Sequence, residues 1–528
     1  MMRRLATMVG IRAPRRRGGY LVASLVVAAA TFAGSPSLAG SVHVLRVGTY
    51  RGIPGQFRTI QAAVNAARPG DWILVAPGDY HENGSSDPEL PAGVLIRTPG
   101  IHLRGLDRNG VIVDGTRLGA PTPCSSDAAF QVTGRNGIEV YKASGTYVEN
   151  LTVCNFLTDP ATGAHGNQIW WNGGDGSGQI GMHSYWGNYL TASSGYSNGA
   201  DHPRGEYGIF VSNADGPGSI NYSYASNMGD AAFYVGACPS CNAVLDHDHA
   251  QYSALAYSGT NSGGNLIIEN CEFDHNKTGL VSNSQNNDDL PSPQIGLCPA
   301  GSSPAVPGAV GCTIFMNNYL HDNNNADVPG SGVGLAGSAP VGTGVVLAGT
   351  EYITLYANRI ERNGAWGILV ADLPDQETPP PDASCQGGLF YDPTTRTCYY
   401  QAFGNYVWNN QFSNNGFFGN PTNGDIGLAT TLHDPGNCFN ANTDPAGLTT
   451  DPPDLQSPPY NPCGSANAGD EGPLAAEALC ATQLLAPCPS LPGASYPRPD
   501  ATFTLPAIPA EPGMANPCAG VPRNPWCP

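Results

Sequence analysis

The spacing of apolar and polar residues changes along the chain, and it predicts one helix followed by many short strands. Between Thr59 and Ala67 the apolar residues recur three and four positions apart, which is the spacing of one helix face. From residue 220 onward, brief apolar runs are separated by Asn, Asp and Gly, the residues of tight turns. The pattern therefore indicates a strand-rich protein that opens with a helix.

The short apolar runs repeat. The segments INYSYASN, AVLDHDHA and LIIENCEF begin at Ile220, Ala243 and Leu266, 23 residues apart, and ITLYANRI at Ile353 has the same pattern. Each segment is followed by a turn and another apolar run. A period in the low twenties with three short strands is typical of a parallel β-solenoid, in which stacked coils bury one continuous apolar column.

The stretch LDHDHAQYS, residues 245–253, has two interpretations. In the first it is one turn of the repeat, with Asp248 in an inward polar ladder and Leu245 in the core. The ladder column would contain Asp248, Cys271, Asn318, Asn358 and Asn410, and the core column would contain Leu245, Ile268, Phe315, Leu355 and Val407. In the second interpretation, outward residues form an acid–base or metal site, because histidines two apart on a strand share a face.

Composition supports a turn-rich β protein with an acidic surface. The 528 residues include 68 Gly and 47 Pro, only 12% are charged, and the formal net charge is −19. Six arginines lie within the first 17 residues, so the remainder is more acidic still. Such a surface disfavours nucleic acid and anionic membranes. An acidic polysaccharide would need a cation to offset the repulsion.

The N-terminus has the features of an export signal. A basic run ends at Arg17, an apolar stretch covers 20–33, and small residues stand at Ser37 and Ala39. We predict a signal peptide over 1–39 and a secreted, extracellular or cell-envelope-associated protein without membrane attachment after cleavage. The alternative is an uncleaved anchor, for which the apolar run is short.

Fifteen cysteines in an exported chain predict disulfides. Nearest-neighbour pairing leaves Cys271 over, and a buried place in the ladder column would explain its lack of a partner. The predicted pairs are 124–154, 238–241, 298–312, 385–398, 438–463, 480–488 and 518–527. The CPSC sequence at 238–241 also has the form of a redox motif or half a zinc site, but no second pair stands at metal spacing.

The segment FRTIQAAVNAARPGDWILVAPGDYHEN, residues 57–83, together with the Asn-rich repeats, resembles the right-handed parallel β-helix (pectin-lyase-like) superfamily over about residues 55–430. The resemblance implies an all-β, right-handed parallel β-helix of ~23-residue coils with an N-terminal capping helix. The predicted β-helix also carries long Cys-stapled loop insertions at 284–313 and 373–403. The resemblance further implies a monomer whose partner is a polysaccharide or cell-surface glycan.

The resemblance is specific for fold and weak for activity. The opening TIQAAV…GDYHEN is similar to that of pectin methylesterases, but their G-x-D-F-I-F-G and L-G-R-P-W motifs are missing. The N-T-D, D-D and G-H-G set of polygalacturonases and the D-P-H-D motif of alginate epimerases are missing as well. Each absence removes one named mechanism without excluding an enzyme.

An aromatic stripe is the predicted ligand-binding surface. If Ile209 and Val211 point inward, Phe210 points outward, and Tyr234 and Tyr257 follow at spacings of 24 and 23. Aromatic rings stack on sugar rings, so we expect a glycan groove there. A long aromatic segment over 157–206, interpreted as a loop, adds the candidates Trp170, Trp171, Trp186 and Arg204. In the alternative interpretation, these loops cover the stripe or pack on the solenoid wall.

Candidate catalytic residues lie on turns beside the stripe and in the ionisable stretch. They are Lys277, His275, Asp230, His249 and Asp246. Lys277 could act as a base or neutralise a uronate carboxylate, and His275 could transfer protons; Glu206 could join them. Pectate lyases of this superfamily hold calcium with Asp side chains on an exposed strand face, so the resemblance makes calcium the candidate cofactor, with no ligands assigned.

Residues 431–528 abandon the repeat and are rich in Pro, Ala, Asp and Cys. We predict a disulfide-tied extension that caps or wraps the C-terminal end of the solenoid, with a short helix over 474–485. The predicted organisation is therefore a signal peptide (1–39), a β-helix domain (40–430) and this extension (431–528). Three functions stay open: a polysaccharide lyase or other carbohydrate-active enzyme, a non-catalytic glycan-binding surface protein, and a structural envelope protein.

Overall fold

The chain winds into stacked coils whose strands form three long parallel sheets. The computed structural model describes residues 42–84, 87–198, 203–285, 295–330, 334–375, 385, 387–430, 436–464, 467–470, 472–482, 488 and 493–528. The predicted signal peptide lies outside these residues. Each full coil contributes one strand to each sheet in turn, and parallel crossovers of this kind run right-handed. The predicted parallel β-helix is confirmed.

Strands of the first sheet begin the coils, and those of the second sheet follow after a short turn. The first sheet contains Val44–Val47, Trp72–Val75, His102–Gly105, Thr146–Glu149, Met182–Asn188, Ala214–Asn221, Ala243–Asp246, Leu266–Glu269, Thr313–Met316, Thr354–Tyr356, Tyr406–Trp408 and Cys438–Asn440. The second contains Gly78–Tyr80, Val111–Asp114, Thr152–Cys154, Thr191–Ser193, Tyr224–Ser226, His249–Gln251, Glu272–Asp274, Tyr319–His321, Arg359–Glu361 and Gln411–Ser413.

Strands of the third sheet complete the coils, and a few elements lie outside the three stacks. The third sheet contains Ala92–Ile96, Asn136–Tyr141, Ile169–Asn172, Ile209–Ser212, Ala231–Gly236, Leu255–Thr260, Thr278–Asn283, Thr343–Ala348, Trp366–Ala371, Gly424–Ala429 and Thr450–Asp451. The other elements are the strand pair Thr49–Tyr50 and Ile53–Pro54, the antiparallel strands Leu373–Asp375, Phe390–Asp392 and Thr397–Tyr400, and the helices Ile60–Ala66, Ala128–Phe130 (3₁₀), Gly334–Gly337 and Pro473–Ala481.

Inward side chains of successive coils stack into one apolar core. Leu245 pairs in register with Ile268, and Ile268 with Phe315. The column continues through Leu355 and Val407, and all five side chains are buried. The predicted core column is therefore confirmed, and its continuity follows from the period-2 alternation of strand side chains.

A ladder of side-chain hydrogen bonds fixes each coil on the next. The residue before the ladder position has left-handed backbone, for example His247, Asn270 and Asn317, with φ of 55–56°. The following residue points inward. Asn318 Oδ1 accepts from the Cys271 backbone N–H at 3.0 Å, and the chain of bonds runs onward through Asn358, Asn410 and Asn442. These bonds satisfy buried backbone groups that no strand ladder reaches.

Asp248 and Cys271 occupy this ladder, as the first interpretation of residues 245–253 predicts. Asp248 accepts from the Ser223 backbone N–H at 2.8 Å, and Cys271 is a buried free thiol. Burial raises the pKa of both side chains well above the ordinary value. A parallel ladder at the next turn contains Ser253, Asn276, Asn323, Asn363 and Asn415.

The N-terminal helix covers the open end of the solenoid. Thr59 caps the helix Ile60–Ala66 by accepting from the Ala62 backbone N–H, and Ile60, Ala63 and Val64 are buried against the first coils. The carboxylate of Glu82 accepts from the first two backbone N–H groups of the helix, where the positive end of the helix dipole favours it. The predicted capping helix is confirmed.

The segment 157–206 is a coil rather than one long loop, and this interpretation of the sequence was wrong. It contains a strand of each sheet, ending with Thr191–Ser193. The connections between its strands are long, so this coil does not show the 23-residue period in the sequence. On the first sheet, Thr146 pairs with Tyr185 of the next coil, which is 39 positions further along the chain instead of 23. Two of its aromatic residues, Trp171 and Tyr185, therefore point into the core and are fully buried.

Seven disulfides match the predicted pairing: 124–154, 238–241, 298–312, 385–398, 438–463, 480–488 and 518–527. The Cys238–Cys241 pair is buried in the solenoid wall, which fits a local staple and not an exposed redox motif. Cys385–Cys398 ties the insertion that carries the antiparallel strands. Within the described part of the chain, no helix combines the length and apolar character that a membrane span requires.

The C-terminal extension begins at one end of the solenoid and finishes at the other. The strand stacks continue past residue 430, and the helix Pro473–Ala481 packs on Trp366 and Leu369 of the third sheet. From Ser495 the chain then runs back along the coils as an extended strap. Its successive anchors are Asn420, Asp327, Asn227, Arg108 and Arg104.

The strap ends on the first coils. Trp526 packs with Trp72 and Leu74 and donates its indole N–H to the Ile53 carbonyl at 3.0 Å. The expectation that the extension stays at the C-terminal end is therefore wrong for its last part. The segment is extended and rich in proline, and its sequence has neither helical nor strand periodicity. The sequence pattern therefore does not indicate which part of the solenoid the segment contacts.

Substitution Asn358→Ala tests the ladder. It removes bonds to both neighbouring coils at a site that is 1% exposed, so we expect the free energy of unfolding to fall by about 2–3 kcal/mol. Chemical denaturation measures the change. Gln411→Ala, which alters an exposed side chain on an adjacent coil, should change it by less than about 0.5 kcal/mol; equal effects would contradict a special role for the ladder.

Candidate functional site

Four aromatic side chains form a continuous surface on the outer side of the third sheet; we call Trp170, Tyr207, Phe210 and Tyr234 the aromatic face. Trp170 and Phe210 are register partners on consecutive coils and stack in parallel at 5.0 Å between ring centroids. Tyr207 stacks on Phe210 at 4.3 Å, and Tyr234 meets Phe210 edge-on at 4.8 Å. Phe210 therefore stacks on two rings at once, and strands paired in register hold the stack in place.

A histidine–carboxylate pair lies at the edge of the aromatic face. Nδ1 of His165 is 2.8 Å from Glu206 Oε2, and the imidazole meets Trp170 edge-on at 6.0 Å. The bond to Glu206 raises the pKa of His165. Burial would raise the pKa of Glu206, but His165 and Arg204 together hold it below the ordinary value. The imidazole is exposed, so its Nε2 is free to exchange protons with a bound molecule.

Two further acidic groups lie beside the rings. Glu139 is the register partner of Trp170, is fully buried, and accepts from Asn136 and Asn172 at 2.9 Å each. Burial raises the pKa of Glu139. Asp230, a sequence-predicted candidate, accepts from the Tyr207 hydroxyl at 2.9 Å. Burial and this carboxylate together raise the pKa of Tyr207 well above the ordinary value, so its phenol stays protonated.

Two cations lie near the aromatic face, on coils preceding Phe210. The Arg97 guanidinium and the Lys142 ammonium both lie over the Tyr141 ring, at 5.7 and 5.6 Å from its centroid. Tyr141 is the register partner of Asn172, next to Trp171 on the Trp170 strand. Lys142 also pairs with Asp175 at 2.5 Å. The face therefore combines rings, acids and cations, the groups that recognise a polar sugar chain.

Later coils of the third sheet are covered. Ala336 and Ala339 pack over Ala231, Leu255 and Val281, while Leu474 and Ala481 pack over Trp366 and Leu369. Tyr207 packs against the first of these covered clusters and Tyr234 is on its first strand, whereas Trp170 and Phe210 lie on the two preceding coils and are only partly buried. The prediction that loops cover the third sheet thus holds for the later coils and not for Trp170 and Phe210.

Several sequence-predicted binding residues lie elsewhere. Tyr257 is register partner of Phe233, points into the core and is fully buried, so its assignment to the stripe was wrong. Trp171 is also in the core. Trp186 is on the first sheet, stacked on Tyr147 at 4.3 Å. Arg204 is buried beneath the loop that carries Glu206 and cannot meet a ligand directly.

The candidate catalytic residues separate into three places. Asp246 is on the outer face of the first sheet, 2.7 Å from the His247 imidazole. His249 and His275 come together on the second sheet, where both contact Asp274. Lys277 is fully buried under the helix Gly334–Gly337 and donates to the Gly337 carbonyl. None of these four residues therefore lies at the aromatic face. Asp230, the fifth candidate, does lie there, because it accepts a hydrogen bond from Tyr207.

Sequence reasoning missed the roles of Tyr207 and His165 beside the aromatic face. Tyr207 precedes the strand Ile209–Ser212, so the alternation of that strand does not include it. His165 and Glu206 are 41 positions apart on two connections between strands, and no periodicity links them. The sequence signal that was available is composition: residues 157–206 contain three of the seven tryptophans and three of the eleven histidines of the chain.

The calcium site that the resemblance implies does not fit this face. Calcium takes several oxygen ligands, whereas the outward positions of consecutive strands are filled by Trp170, Phe210 and Tyr234. Glu139, the one carboxylate in the column, has both oxygens in bonds to asparagine amides. We therefore derive no role for calcium here.

The buried Lys277 predicts an unusual pH dependence of stability. Burial lowers the pKa of Lys277 to about 7, below its unfolded value, so the unfolded chain binds more protons between pH 7 and 10 and stability rises with pH there. Lys277→Met should flatten this rise, by up to about 1.4 kcal/mol per pH unit. Denaturation at pH 7, 8 and 9 measures the difference; parallel curves for the two proteins would contradict the assignment.

Comparisons with known proteins match the architecture at low similarity. No family model matches the chain, and no curated protein matches its sequence. Among solved structures, the A-module of a mannuronan C-5 epimerase from Azotobacter vinelandii is 15% identical, with 74% of this chain and 91% of that chain covered and a TM-score of 0.42.

Two other matches are similar in extent. A rhamnogalacturonan lyase is 12% identical, with 70% of this chain and 82% of that chain covered and a TM-score of 0.37. A tailspike double mutant of E. coli bacteriophage HK620 is 10% identical, with coverages of 73% and 62% and a TM-score of 0.39. The strand pairing itself establishes the fold: the chain is a three-sheet parallel β-helix.

Proposed function

We propose that this protein binds an extracellular polysaccharide along the aromatic face and acts on it by acid–base catalysis. The observation that carries the proposal is the parallel stack of Trp170 and Phe210 on consecutive coils. The stacked rings lie in successive parallel planes, so together they form an apolar ridge of ring edges that can pack against the C–H groups of sugar residues. Because this ridge runs along the solenoid axis, it suits an extended chain better than a compact ligand.

His165 is the proposed general acid or base. Glu206 orients its Nδ1, which leaves Nε2 directed away from the pair and able to give or take a proton. A pKa raised by this bond keeps the imidazole protonated closer to neutral pH, where a general acid is most useful. The Tyr207 hydroxyl already donates to Asp230, so His165 is the one proton donor proposed for the face.

Acidic sugars are the proposed substrate class. Arg97 and Lys142 provide positive charge at the face of a chain whose net charge is −19. A uronate carboxylate could exchange with Asp175, which is exposed and pairs with Lys142. Neutralisation of a uronate and proton transfer at the adjacent carbon are the two requirements of lyase chemistry.

Non-catalytic glycan binding is the second candidate. The observation that favours it is that both cations already have carboxylate partners, Asp87 for Arg97 and Asp175 for Lys142. Cations paired in this way attract a uronate less strongly than free ones. In this case the aromatic face would be an attachment surface, and His165 would have no role in turnover.

Removal of the rings should weaken binding. We expect Trp170→Ala and Phe210→Ala each to weaken binding of a uronate-containing polysaccharide roughly tenfold, because each removes part of the apolar ridge of stacked rings. Isothermal titration with a panel of neutral and acidic polysaccharides measures this. The matched control is Phe390→Ala, an exposed ring on the antiparallel insertion that stacks on Tyr399. Unchanged affinity in both face variants would exclude this surface.

Removal of the imidazole should separate binding from turnover. With the polysaccharide that binds, His165→Gln should retain affinity and lower the rate of new reducing ends or of unsaturated-product absorbance by about 10²–10⁴-fold. His183→Gln, at an exposed histidine that also pairs with a carboxylate, is the control. Binding without any turnover in the unsubstituted protein would favour the non-catalytic candidate.

A further inference from the structure

Side chains of the kinds that ligate transition metals converge on the outer face of the second sheet. His249 and Glu272 are register partners on adjacent coils, and Asp274 shares a strand face with Glu272. Nε2 of His249 is 2.7 Å from Asp274 Oδ1, and the ligand atoms of all three residues lie within 4.8 Å of one another. We propose that His249, Glu272 and Asp274 bind a divalent transition-metal ion such as Zn²⁺.

A fourth ligand is available on the next coil. His321 is the register partner of Asp274, and its Nε2 is 3.1 Å from Glu272 Oε1. His321 lies outside the group of three whose ligand atoms are within 4.8 Å of one another, so it becomes a fourth ligand only if its side chain and that of Glu272 move toward the ion. Sites on paired strands keep their ligands in place without help from loops.

The local charge balance leaves room for a dication. Arg362 binds Asp322 and Glu361, and Arg359 binds Glu361. The positive charges of Arg359 and Arg362 are thus balanced by the carboxylates of Asp322 and Glu361. In the contacts of the described residues, neither arginine pairs with Glu272 or Asp274. The Asp274 side chain is only 4% exposed, and its partners are the imidazoles of His249 and His275 and the amide of Gln251, none of which is a permanent cation.

The donor set selects the type of ion. Imidazole nitrogen with carboxylate oxygen suits Zn²⁺ and its first-row neighbours, whereas Ca²⁺ and Mg²⁺ take oxygen ligands. Ligand bonds of about 2.0–2.2 Å in a tetrahedron place donor atoms roughly 3.3–3.6 Å apart. The His249–Asp274 pair, now 2.7 Å apart, must therefore widen by roughly 0.6–0.9 Å. The half-exposed Glu272 must also rotate inward.

Second bonds already orient two of the ligands. Gln251 donates to Asp274 Oδ2 at 2.7 Å, which leaves Oδ1 directed at His249. His321 Nδ1 lies 2.7 Å from Asp322 Oδ2 and 3.2 Å from Arg362, so its Nε2 is the nitrogen directed at Glu272. Such partners fix the tautomer and the ring orientation of a metal-binding histidine.

Two other groups of ligand-type residues fit less well. The group of Asp114, Cys124 and Cys154 has its sulfurs in a disulfide, so they are not thiolate ligands. The group of Asp79, His81 and Asp114 has one imidazole, and both oxygens of Asp114 accept backbone N–H groups, those of Thr116 and Cys124. It serves as a comparison site in the experiment.

The test uses the secreted chain without a polyhistidine tag, treated with EDTA and dialysed. Titration with ZnCl₂ should show one equivalent bound, and CoCl₂ should give the visible absorption of a four-coordinate site. Asp274→Asn and His249→Gln should each weaken Zn²⁺ binding roughly a hundredfold or more, as loss of a ligand does. Asp79→Asn should leave the affinity unchanged, as should His183→Gln.

Each contrary outcome overturns the proposal. These are no stoichiometric Zn²⁺ binding, equal affinity in Asp274→Asn, loss of binding in Asp79→Asn, and tighter binding of Ca²⁺ than of Zn²⁺. Circular dichroism and thermal unfolding without metal verify that the variants fold. Because the site is on the second sheet and the aromatic face on the third, failure here is independent of the polysaccharide binding tested with Trp170→Ala.

Discussion

The inward amide ladder is the interaction on which the rest of the structure depends. A parallel coil has sharp turns whose backbone N–H and carbonyl groups are buried and unpaired within the coil. Asn318, Asn358 and Asn410 give each turn a donor and an acceptor from the next coil, and a buried group left without a partner would be costly. Since every ladder residue binds its neighbour, the coils cannot slide by one position.

Fixed register is what makes the outer surfaces chemically distinct. Side chains one strand apart fall into straight columns, so similar residues at equivalent positions become a continuous stripe. On the third sheet this produces stacked rings from Trp170 to Tyr234, and on the second sheet it produces alternating imidazoles and carboxylates around Asp274. The two surfaces share one scaffold but offer different chemistry.

The architecture could be predicted from the sequence because ladder and core positions recur at a nearly constant period. Prediction failed where the period changed. Tyr234 pairs with Ser258 and not with Tyr257, so the third sheet advances by 24 positions there while Ala243 and Leu266 of the first sheet are 23 apart. A one-residue error reverses the face of a strand residue, and Tyr257 is in the core for this reason.

The candidate site was predictable only in part. Phe210 and Tyr234 follow strand alternation, so their outward direction could be read from the repeat, whereas Trp170 was assigned to a loop and its strand was missed. The contact between His165 and Glu206 depends on how two irregular connections meet, which local sequence does not encode. Lys277 shows the complementary error: an ionisable residue in a turn suggested chemistry, whereas the cover formed around residues 334–340 buries it.

The return of the strap to the first coils changes how a solenoid of this length can fold. Repeat proteins commonly gain order from one end to the other, each unit depending only on its neighbours. Here Trp72 and Leu74 on the first coils are covered by Trp526 of the strap. The leading coils thus keep an uncovered apolar surface until the strap has been synthesised, and the folded solenoid loses the free end from which a linear array would fray. Its unfolding is tied to release of the strap.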